Sequence, residues 1–146
     1  GRANILTIGR LRYHLLGYVE DDAPYLQARV EFFEDETGAD REVQKVADEV
    51  FVLFERIAKA AFDLGGGRGP LPEIRRADPE SFSFLVSTSF DLSNQLKYEY
   101  LEMTSTLERL ERLRLVLLEA VGPMEANAQI LRSAKTNGHS NKKLEL

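Results

Sequence analysis

The apolar positions of the chain change period once. Up to about residue 34 they recur every second residue, and from about residue 40 they recur every third or fourth. Ile5, Leu6 and Ile8 open a short strand that Gly9 ends. Leu11, Tyr13, Leu15 and Val19 then alternate with Arg12, His14 and Tyr18, with an interruption at Gly17 that reads as a bulge. Asp21-Asp22-Ala23-Pro24 supplies a turn, because the acids cap it and proline cannot donate to a ladder. The next run sets Leu26, Ala28, Val30 and Phe32 on one face and Gln27, Arg29 and Glu31 on the other. This pattern predicts three hairpin-connected antiparallel strands, broken at Asp35-Glu36-Thr37-Gly38.

The helical period predicts a long first helix from Asp40 to Leu64. Its stripe is Val43, Val46, Ala47, Val50, Leu53, Phe54, Ile57, Ala61 and Phe62, with Asp40 as N-cap and Gly65 as stop. Residues 65–72 form a flexible linker. Asp78-Pro79-Glu80 starts a second helix, with Phe82, Leu85, Val86 and Phe90 inward. A third, short helix follows Asp91 or Ser93. The fourth opens on Ser105, where Glu108 three residues on completes a capping box, and buries Leu107, Leu110, Leu113, Leu117 and Val121. Glu108 with Arg112 and Glu111 with Arg114 pair along its wet side. Gly122-Pro123 interrupts the pattern, and a further helix restarts from Met124 to about Lys135.

Strands first and helices after give an α+β fold: a small antiparallel sheet followed by a bundle of four to five helices. Residues 1–38 form the β part and 39–135 the helical part of one domain, with 136–146 as a flexible tail.

The run Leu101-Glu102-Met103-Thr104-Ser105-Thr106-Leu107-Glu108-Arg109-Leu110 resembles the last long helix of the Lon protease N-terminal domain, the substrate-binding domain of that enzyme. The segment from Ser83 to Tyr100 is similar to the helix–turn–helix that precedes it there, and Gly9, Arg12-Tyr13, Pro24-Tyr25 and Glu31 match the strands. The likeness spans about residues 3 to 120. It implies a partial PUA-like pseudo-barrel on the helical part, and a non-catalytic module that binds unfolded or apolar segments for proteolysis or quality control. Lon-type domains begin with further strands after a proline-rich start, and nothing of that kind stands before Asn4. With no initiator Met, Gly1 is read as an internal start. The expectation is that a second copy or a partner chain supplies the missing strands, by self-association through open sheet edges. The resemblance carries neither the ATPase nor the Ser-Lys protease domain.

Composition narrows the chemistry. The 146 residues contain no Cys, which excludes disulfides, thiol nucleophiles and thiolate-bound metals and fits a cytoplasmic address. No apolar run approaches the ~20 residues of a membrane span, and no signal peptide is visible. A net charge of −5 disfavours nucleic acid, so the alternative of an RNA-binding PUA-like domain ranks second. The glycines at 65–67 lack the Gly-Lys-Ser/Thr of a phosphate loop. Ser81, Ser83, Ser87 and Ser89 have no lysine or histidine base nearby in sequence and read as structural. His14 lacks converging ligands for a metal site. Asp21-Asp22 and Glu34-Asp35-Glu36 lack the spacing of a calcium loop and read as solvated turns. No catalytic, cofactor or metal residue is expected.

The aromatics of the β region remain. Tyr13 and Phe32 alternate correctly for core positions. Tyr18, Tyr25 and Phe33 lie on the opposite faces by simple alternation, and are the candidate surface for a peptide or a protein partner.

Overall fold

The computed structural model describes residues 3–5, 9–36, 40–67, 69–71 and 73–137. Strands β1 (Arg12–Val19) and β2 (Gln27–Phe33) precede helices α1 (Asp40–Leu64), α2 (Pro79–Ser89), α3 (Asn94–Glu102) and α4 (Thr106–Asn137). The fold is α+β: a two-stranded antiparallel sheet followed by four helices. Of the short first strand expected at Ile5, Leu6 and Ile8, residues 6–8 lie outside the described residues, as do 138–146 of the expected tail.

Helix α1 forms because its apolar residues fall on one stripe. Val46, Ala47, Val50, Phe51, Leu53, Ile57 and Ala60 are buried, so Phe51 and Ala60 join the stripe and Ala61 turns outward. The helix stops in a Schellman motif. Gly66 takes φ 75°, its N–H donates to Asp63 O, and the Gly67 N–H donates to Phe62 O at 2.9 Å. The expected cap on the Asp40 side chain lies outside the described atoms.

Helix α4 is the partner of α1. Leu110, Leu113 and Leu117 are fully buried, and Val121 and Ala128 continue their line. Ion pairs Glu49–Arg114, Arg56–Glu125 and Asp63–Arg132 join the two helices with residue numbers rising together, so α1 and α4 run parallel. Arg114 therefore bonds across to Glu49 at 2.6 Å and not to Glu111, because the inter-helix partner lies within reach of the long side chain. The Ser105 hydroxyl accepts from the Glu108 N–H at 3.2 Å, the cap read from the sequence.

The break expected at Gly122-Pro123 does not occur; α4 runs straight through Pro123. An interior proline forfeits one backbone bond and costs about 3 kcal/mol. Here Glu119 and Pro123 are exposed, so the carbonyl that loses its partner faces the solvent side. Buried Val121 and Ala128, with the bonds of Glu125 and Arg132 to α1, hold both halves of the helix in line. Tertiary packing outweighs the local signal.

Helices α2 and α3 return the chain from the end of α1 to the start of α4. Asp78 caps α2 by accepting from the Ser81 N–H, and Ser93 caps α3 by accepting from the Leu96 N–H. Phe82 and Val86 are buried as expected, but Leu85 is exposed, and Ser83 and Ser87 take the remaining inward positions. Their hydroxyls donate to the carbonyls of Glu80 and Ser83, which lets small polar side chains sit in the core.

The hairpin packs broadly on none of these helices. Its register shifts between Leu15 and Gly17, leaving Leu16 as the bulged residue.

Two glycines predict opposite effects. Gly122 sits inside α4 with open space where a Cβ would go, so Gly122→Ala should stabilise the fold by about 1 kcal/mol in urea unfolding. Gly66 needs its positive φ, so Gly66→Ala should destabilise by about 1–2 kcal/mol in the same assay.

Candidate functional site

The strand that ends the hairpin delivers Asp35 into the bundle. Its carboxylate accepts from both arms of the Arg109 guanidinium, from Arg12 Nη2 and from the Thr106 hydroxyl. The side chains are closed off from water, with 0% exposure for Arg109, 5% for Asp35 and 11% for Arg12. Arg109 also donates from Nε to Ser83 Oγ at 2.7 Å, from Nη1 to Met103 O at 2.9 Å and from Nη2 to Thr106 Oγ1 at 3.2 Å. All five guanidinium N–H groups thus have acceptors. Arg12 adds bonds to the carbonyls of Leu101 and Met103. Two guanidinium groups against one carboxylate leave an extra positive charge, which those carbonyls and the face of the Phe84 ring, 4.0 Å from Arg109 and 5.1 Å from Arg12, help to offset. A backbone bond from Glu36 N to Thr104 O at 2.7 Å completes the joint.

Chemically this cluster is a fastener. Among the described residues its buried polar side-chain atoms all have hydrogen-bond partners. Burial pushes the Asp35 carboxyl up, but hydrogen bonds from Arg109 and Thr106 and the charges of Arg109 and Arg12 outweigh it, leaving the group below its ordinary value. Asp35 is therefore no solvated turn residue. The acid run expected at 34–36 is split, with Asp35 buried and Glu34 and Glu36 exposed. Of the serines of α2, Ser83 and Ser87 bond as above, and the Ser89 hydroxyl donates to Leu85 O. Among the described residues no group of His, Asp or Glu could hold a metal ion.

The joint fixes which side of the hairpin faces inward. Arg12, His14, Glu31 and Phe33 share one face, where the Phe33 ring stacks on His14 at 4.3 Å and lies beneath Arg12 at 4.6 Å. The opposite face carries Tyr13, Leu15, Val30 and Phe32, with Tyr13 and Phe32 in edge contact at 6.2 Å. The bulge shifts the parity of β1, so Tyr18, paired with Ala28, falls on this second face too.

Tyr13 and Phe32, expected in the core, are thus 55% and 62% exposed, because the joint turns their face away from the helices. Of the candidate surface residues, Tyr18 lies on the open face and is 67% exposed, and Tyr25 is exposed in the connecting loop. Phe33 is half-buried on the other face, so the structure does not bring these residues together. The exposed apolar residues that share the open face of the hairpin are instead Tyr13, Leu15, Tyr18 and Phe32, with half-buried Val30 between them, while Val52, Leu115 and Leu118 form a second exposed apolar group on α1 and α4.

Sequence reasoning missed Arg109, although a signal existed. Arg109, Leu113, Leu117 and Val121 lie on one i, i+4 line, so a cation stands in the buried stripe and requires an acid from elsewhere.

No protein-family model matches this chain, and a comparison with curated proteins finds no relative. Among the described residues no helix is long and apolar enough to cross a membrane.

Breaking the joint should be expensive. Asp35→Asn leaves two buried guanidinium groups short of charge and should cost about 3–5 kcal/mol near pH 7 in urea unfolding. Since the folded carboxyl titrates below its unfolded value, its contribution is full above the ordinary carboxylate range. It falls away as pH drops from there toward the folded value. The stability gap between wild type and Asp35→Asn should therefore narrow below about pH 4.

Proposed function

We propose that this chain is a non-catalytic module that binds extended apolar segments of unfolded polypeptide, as the resemblance to the Lon substrate-binding domain implies, in the service of proteolysis or quality control. The observation that carries the reading is the open hairpin face of Tyr13, Leu15, Tyr18 and Phe32. Contiguous exposed apolar surface of this kind marks interaction sites. Among the described residues β1 and β2 pair only with each other, and in this reading a ligand strand adds at an outer edge of the pair. Binding would bury ligand side chains against the aromatic rings while main-chain bonds extend the ladder. Each seated side chain contributes about 1.5–3 kcal/mol before ordering costs. The chain's net charge of −5 disfavours nucleic-acid phosphates as the ligand.

The test is binding of fluorescein-labelled, reduced and carboxymethylated α-lactalbumin, with the folded protein as control. The unfolded form should bind and the folded form should not. Tyr13→Ser with Phe32→Ser should weaken binding at least tenfold while the helical circular dichroism stays unchanged. Undiminished binding by that double variant would sink the reading.

A further inference from the structure

The open face of the hairpin has two unlike ends. At the joint end stand Tyr13 and Phe32, next to the helices. At the far end β1 runs out into Glu20, Asp21 and Asp22, all exposed. Asp21 closes the turn by accepting from the Ala23 N–H at 2.9 Å, which holds the tip in shape and leaves Glu20 and Asp22 to solvent. Between Arg12 and Arg29 the sequence contains no Lys or Arg, and Arg29 lies on the opposite face, paired with Gly17. The apolar face therefore ends in a negative rim with no cation beside it on the same loop.

The two edges also differ. The bulge at Leu16 disrupts the ladder of β1, whereas β2 is regular from Gln27 to Phe33 and contains no proline. A ligand strand adds more readily to β2, and antiparallel pairing is slightly the more stable arrangement per residue. Since β2 runs from the tip toward the joint, an antiparallel ligand runs from the joint toward the tip. Its first apolar side chain then sits by Phe32, with others at every second position over about 14 Å to Ala28. The residues that follow reach the acidic rim.

Resting on the peptide-binding reading above, we propose that the preferred ligand is a directional one: an extended segment with apolar side chains at alternate positions, followed on its C-terminal side by Lys or Arg. Charge complementarity at the tip selects the flank, and the regular edge selects the direction.

The experiment uses the whole chain and labelled ten-residue peptides with Leu or Val at alternate positions, read by fluorescence anisotropy. One peptide ends in two lysines, one ends in two glutamates, and one carries the lysines at its N-terminal end. The C-terminal lysine peptide should bind about three- to tenfold tighter than either other peptide at low salt, and the advantage should shrink in 0.5 M NaCl. Glu20→Gln with Asp22→Asn should abolish the preference and leave binding of the glutamate peptide unweakened. Equal binding of all the peptides overturns the charge and direction assignment and leaves the peptide-binding reading standing; no binding at all overturns both. A peptide-independent dimer in light scattering, dispersed by Tyr13→Ser with Phe32→Ser, would assign the face to a second copy and also overturn the proposal.

Discussion

A carboxylate from the end of the hairpin, locked into the guanidinium of the first turn of α4, decides how the parts of this protein meet. Asp35 and Arg109 lie out of water, and each would be costly there alone. Their fork-to-fork geometry, the Thr106 hydroxyl and the second guanidinium of Arg12 make the arrangement tolerable and directional. An apolar contact of similar area would allow the hairpin to slide or roll. A bidentate ion pair closed by a backbone bond to Thr104 allows one orientation.

That orientation explains why the aromatic residues of the sheet end up where they do. Arg12, on the charged side of the hairpin, is drawn inward over Phe84, and the greasy side is left out. Ordinary burial logic would give the opposite result, and it fails because the helices build their core among themselves. Leu110, Leu113 and Leu117 pack with Val50, Leu53 and Ile57 in one core that does not need the sheet. The open face is therefore a product of the ionic joint as much as of the strand sequence, and the proposed binding role depends on it.

Local signals were legible where local chemistry decides. The caps at Asp78 and Ser105 and the turn after Val19 follow from side chains acting on backbone a few residues away, and the end of α1 follows from a glycine that takes a positive φ. The rest depends on partners distant in sequence. Pro123 reads as a break until α1 is known to grip both sides of it. Asp35 reads as a wet turn until Arg109 is placed opposite. Tyr18 reads as facing with Arg12 until one extra residue at Leu16 shifts the strand's parity. The first two departures are long-range contacts outweighing short-range preferences, and the third is a one-residue bulge within β1.

The parallel course of α1 and α4 has a kinetic corollary. Parallel neighbours cannot be joined by a tight loop, so the chain must cross back through α2 and α3 before α4 can begin beside residue 35. Asp35 then finds Thr106 and Arg109 across 71 and 74 positions of sequence. Closing so wide a ring adds little to the equilibrium cost, which grows only with the logarithm of its size, but contacts of this span form late. The pairs Glu49–Arg114 and Asp63–Arg132 that join α1 to α4 span 65 and 69 positions, so the bundle and the joint both wait on the same return of the chain.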